Sequence, residues 1–142
     1  MKSITLLFTL FLLFPISAQE AEKEKEHPID IAMDKAIEKN PSTAGMVEAF
    51  AAASEKWDAE LNKNYKILIA KLEPDAKKAL REAQRAWVAQ RDKEIDYMIE
   101  FYSKMQGTMY RVIYAESTMS MVKDRALKLS YMVEMLELRT SE

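Results

Sequence analysis

The chain has no cysteine among its 142 residues and a single histidine, His27. Without thiolates there is no disulfide framework, and a structural zinc site built from Cys and His is excluded. Glycine is nearly absent, with only Gly45 and Gly107, and prolines number four. So few turn formers leave little room for a loop-rich or β-rich fold. A basic balance is missing too, since 21 Lys plus Arg face 23 Asp plus Glu for a net charge of −2. Nucleic acid and anionic membrane surfaces call for a basic face, so neither is an expected partner. No apolar run approaches the ~20 residues that a membrane-spanning helix needs.

What is present begins with the first 18 residues, MKSITLLFTLFLLFPISA. Lys2 precedes an apolar run from Ile4 to Phe14, Pro15 breaks it, and Ser17 and Ala18 suit cleavage. These are the parts of a secretory signal peptide, so the mature chain is expected near Gln19, in the periplasm or outside the cell. Losing Lys2 leaves 20 basic against 23 acidic residues, a net charge of about −3. Residues 19–28 form a charged leader with no apolar periodicity, and residues 29–142 are expected to form one domain.

Within that domain the apolar spacing is helical. Ile29, Met33, Ala36 and Ile37 share one face of a short first helix that stops before Asn40-Pro41. Ser42 or Thr43 is a natural cap for the next helix. From there Met46, Phe50, Ser54, Trp57, Leu61, Tyr65, Leu68 and Leu72 recur every three or four residues, with Ser54 the one polar interruption. Glu73-Pro74-Asp75 marks the next start, and the third helix is expected to run to about Met105. Its stripe is Leu80, Ala83, Trp87, Arg91, Glu94 or Ile95, Met98, and Phe101 or Tyr102. Gln106-Gly107 supplies a stop, and Thr108 is placed to cap the last helix. Met109, Val112, Ala115, Met119, Val122, Ala126, Leu129, Val133 and Leu136 complete a near-3.5 period. Tight turns force such helices to be antiparallel neighbours. The expected fold is an all-α antiparallel bundle of three long helices with a short N-terminal helix.

Three groups of residues could carry chemistry. Met105, Met109, Met119, Met121, Met132 and Met135 could offer thioethers to copper, but they sit mostly at core spacing and Met is an adaptable core filler. Asp58, Asn62 and Tyr65 lie at i, i+4 and i+7 and could serve acid–base work. A polar seam fixing the bundle's register, with Asp58 paired to a cation on another helix, is the favoured reading. Arg81, Gln84, Arg85, Trp87, Arg91 and Asp92 are the most distinctive stretch. Trp87 is expected to be buried, and Arg91 to lay its stem inside and pair with Asp58. No nucleophile–base pair and no carboxylate pair across a cleft is evident, so no enzyme, cofactor or metal is expected.

These residues resemble a known family. Ser42 to Met46, Trp57 to Tyr65, and Leu80 to Val88 followed by Arg91-Asp92 are similar to the LprI-like lysozyme inhibitor domain family. Gly107-Thr108-Met109 and Arg125-Ala126-Leu127 look like its second half, so the resemblance covers residues 40–131. The motif positions are Thr43, Met46, Asp58, Leu61, Asn62, Tyr65, Gln84, Arg85, Trp87, Arg91, Asp92, Gly107 and Arg125, and they read as architectural. Members often carry cysteines, one near the position of Ala49, and this chain has none. The resemblance implies a helical envelope domain that binds and inhibits lysozyme, a cationic protein that an acidic chain would not repel. The Lys104–Thr108 turn or an acidic helix face could meet its cleft. The competing reading is a helix-docking interaction protein, in which surface tyrosines serve a homodimer or another helix.

Overall fold

The computed structural model describes residues 26–140, so the expected signal peptide and most of the charged leader lie outside the described residues. Four helices follow in order: α1, Pro28–Lys39; α2, Thr43–Lys71; α3, Pro74–Tyr102; and α4, Met109–Thr140. No strand occurs among the described residues. The all-α bundle expected from periodicity is the architecture observed.

Each start has a local cause. Pro28 and Pro74 occupy first-turn positions, where the missing N–H costs no hydrogen bond, and Asp30 and Asp75 face the positive helix ends. Ser42 caps α2 by accepting the Gly45 N–H at 3.1 Å, while its own hydroxyl donates to Asn40 Oδ1 at 2.8 Å. That tight α1–α2 turn explains the glycine. A Cβ on Gly45 would come within 2.2 Å of the Asn40 carbonyl oxygen, too close for any side chain.

One boundary differs from the periodicity. α3 ends at Tyr102 rather than near Met105, and Gly107 at φ 98° turns the chain back. The Thr108 and Thr43 hydroxyls hydrogen-bond at 3.3 Å, tying the start of α4 to the start of α2.

The helices do not share the core equally. α2 and α4 form the principal pair, burying Phe50, Ala53, Trp57, Leu61 and Leu68 against Val112, Met119, Val122, Ala126, Leu129 and Val133. α1 packs Ile29, Met33 and Ile37 onto them. α3 contributes a single buried residue, Met98. Leu80 and Trp87 pack against the core but stay half-buried, and Ala83 and Phe101 of the expected stripe are exposed. The α2–α4 seam buries apolar side chains along its length, whereas α3 meets α4 through the half-buried Trp87 and Leu80 and keeps most of its surface in water.

The methionines also depart from expectation. Met119 is buried, but Met105, Met109, Met132 and Met135 are exposed. Spacing alone placed them on helical faces without saying which face meets a neighbour.

Candidate functional site

Along α3 the motif residues gather on the surface of the bundle. Trp87 lies half-buried with two guanidinium groups over its ring, Arg91 at 5.2 Å and Arg125 at 5.7 Å from the centroid. Arg125 Nε donates to Gln84 Oε1 at 3.0 Å, so α4 grips α3 through one cation, one amide and one indole. Burial lowers the Arg125 pKa below its usual value, though the ordinary value lies so far above neutrality that the charge persists.

The expected Arg91–Asp58 pair does not form. Arg91 donates through Nε and Nη2 to Asp92 Oδ1, at 3.0 and 2.7 Å, along the surface of its own helix. Asp58 is exposed and accepts from Asn62 Nδ2 at 2.8 Å, one turn away on α2. The stand-off of α3 from α2 is the reason: each charge meets a partner on its own helix before it reaches the other. Tyr65 is half-buried against the core, Arg85 is exposed, and Leu61 and Met46 pack inward. Asp58 and Arg91 still line a common groove of about 600 Å³ between α2, α3 and α4.

The deepest polar cluster was not anticipated. Trp57 is fully buried, and its indole N–H donates to Asp30 Oδ1 at 3.3 Å. Lys123 Nζ donates to Asp30 Oδ2 at 2.8 Å and lies 5.6 Å from the Trp57 ring centroid. His27, assigned to the leader by sequence, instead caps α1 through Nδ1, which accepts the Ile29 N–H at 3.2 Å. Its ring packs 4.3 Å from that of Trp57. A signal existed: Asp30 shares a helix face with Met33 and Ile37, and a carboxylate on an apolar stripe calls for a buried cation. The cluster binds α1, α2 and α4 together, and no buried side-chain polar atom among the described residues lacks a partner.

At the α3–α4 end the surface changes character. Tyr97, Phe101, Tyr102 and Tyr110 form a chain of rings with successive centroids 5.9, 5.2 and 6.0 Å apart. Tyr97 is 59 % exposed and Phe101 44 %, with Ile99, Met105 and Met109 exposed beside them. A cleft of about 420 Å³ opens there, with Tyr102, Tyr110, Arg111 and Gly107 among its walls.

Residues 34–129, which hold the Trp87 cluster and the aromatic α3–α4 end but not Asp30 or His27, match the family described as Lysozyme inhibitor LprI. The chain belongs to the LprI lysozyme inhibitor family. The match agrees closely with the 40–131 expected from motifs. Among solved structures, the chain is similar to an uncharacterized protein from Burkholderia thailandensis, with 30 % identity and a TM-score of 0.75. That similarity covers 80 % of this chain and 57 % of the other, so the LprI-family chain spans little more than half of that protein's length. No curated protein matches the chain. No described helix is long and apolar enough to cross a membrane.

Proposed function

We propose that the protein is exported and acts without catalysis, as an inhibitor that occludes a lysozyme-type muramidase. The observation that carries this reading is the family match across α2, α3 and most of α4. Export is supported by Lys2, the apolar run Ile4–Phe14 and the small residues Ser17 and Ala18. Exposed large apolar side chains, among them Tyr97, Ile99, Phe101 and Met109, support a role in binding. A turbidity assay tests it. Bacterial cells exposed to lysozyme are expected to clear more slowly when the protein is added in excess. Undiminished lysis, with no complex detectable by calorimetry, removes the reading.

A second reading has one observation of its own. Leu68, Leu72, Leu80, Met132, Met135 and Leu136 line an apolar groove of about 530 Å³ between α3 and the last turns of α4. Such a groove suits helix docking or self-association. Sedimentation velocity decides it, because a monomer mass that is constant across concentration leaves self-association no role.

A further inference from the structure

We infer that, if the protein is a lysozyme inhibitor, the α3–α4 end of the bundle is the surface that enters the lysozyme's substrate cleft; this rests on the function proposed above. Three observations point to this end. The first is the ring chain from Tyr97 to Tyr110, which leaves aromatic area in water beside the exposed Ile99 and Met109. Aromatic side chains with few rotamers to freeze are the residues that dominate binding energy at interface centres.

The second is charge. Along α3 the exposed charges shift from a basic excess, with Lys78, Arg81 and Arg85 against Asp75 and Glu82, to an acidic one, with Asp92, Glu94, Asp96 and Glu100 against Lys93. The aromatic end therefore carries an excess of carboxylates, of which Glu100 is paired with Lys104, while Arg111 stands in the wall of its cleft. A lysozyme presents the reverse pattern: a cationic exterior around two catalytic carboxylates in the cleft. Arg111 would face those carboxylates and the acidic excess would face the cationic exterior. The apolar groove at the opposite end has the cation Arg139 in its wall and no carboxylate among its lining, so it offers nothing to a cationic exterior. The third is preorganisation. Gly107 at φ 98° and the Thr43–Thr108 hydroxyl contact hold the turn in place before binding, so less ordering is needed on contact.

Affinity for a cationic lysozyme is the readout, with variants of the full chain. Tyr97→Ser with Phe101→Ser is expected to weaken binding at least tenfold, and Arg111→Glu to do the same. Leu127→Ser with Tyr131→Ser, an equally spaced exposed pair on α4 away from this end, is expected to bind as the parent does. Lysozyme pre-filled with an N-acetylglucosamine oligomer should bind less in proportion to its occupancy. Melting temperatures establish that each variant is folded; Arg111→Glu removes no apolar group and so reads the surface even if the double variant unfolds. Parent-like affinity in the Tyr97/Phe101 and Arg111 variants, or undiminished binding to the saccharide-filled enzyme, overturns the surface. A parent protein that binds no lysozyme overturns the proposed function itself.

Discussion

Gly45 and Asp30 show how much of the α1–α2 junction rests on single side chains. Gly45 packs under the Asn40 carbonyl with no room for a methyl group. Gly45→Ala raises helix propensity by up to about 1 kcal/mol, yet it must push the turn away, and overpacking of this kind costs about 1–3 kcal/mol, so the net effect is destabilising. Thermal unfolding should show a lower melting temperature, and an unchanged or higher one would mean that the turn yields freely. Asp30→Ala leaves the Trp57 indole N–H and the Lys123 ammonium without their acceptor. The expected loss is about 1–3 kcal/mol in urea unfolding. In a Trp87→Phe background, Trp57 emission should shift to the red as α1 loosens. Had Asp30 only decorated the surface, neither measurement would move.

At the scale of the element, α3 is the one held least. It offers one buried residue, whereas α2 buries eight. Regions with few buried apolar contacts open below the global unfolding free energy. Amide hydrogen exchange is therefore expected to be faster along α3 than along the facing turns of α2 and α4. Uniform protection across all three helices would contradict this. The two tryptophans give the same test in stability: Trp57→Ala empties a fully buried site and should cost about 3–5 kcal/mol, and Trp87→Ala clearly less. The Arg125–Gln84 and Arg125–Trp87 contacts are then what positions α3, so Arg125→Ala should speed α3 exchange further without exposing the α2–α4 seam.

For the whole molecule the decisive property is the uneven distribution of charge. A net charge of −2 says little about recognition, but an α3 whose exposed charges shift from a basic excess at its start to an acidic excess at its end has a direction. Complex formation with a cationic partner at the acidic end should weaken as salt rises, mainly through slower association, because such steering is screened within about 8–10 Å. Association rates measured between low and physiological ionic strength test this; salt-independent rates would point to apolar contact alone.

Helix number, order and most boundaries were legible in the chain, because the 3.6-residue repeat, the caps and the prolines act within a few residues of each other. The stripe from Met46 to Leu72 and the one from Met109 to Leu136 are local patterns, and both face the core except at the exposed Met109. The family was legible as well, from Trp57 to Tyr65 and Leu80 to Asp92. Which stripe meets which was not. Periodicity gave α3 a stripe like the others, but only the packed structure shows that α2 closes onto α4 while α3 meets α4 through Trp87, Gln84 and Arg125. The Arg91–Asp58 pair expected from sequence failed for that reason, since a guanidinium takes the carboxylate one residue away before one on a helix held at a distance. The bond between Asp30 and Lys123, 93 positions apart, is a matter of tertiary arrangement alone. Cysteine, histidine and glycine content by itself ruled out disulfides, a Cys/His zinc site and a β fold. Where the exposed rings and carboxylates converge was decided only when the chain turned back at Gly107 and placed Tyr110 against Tyr102.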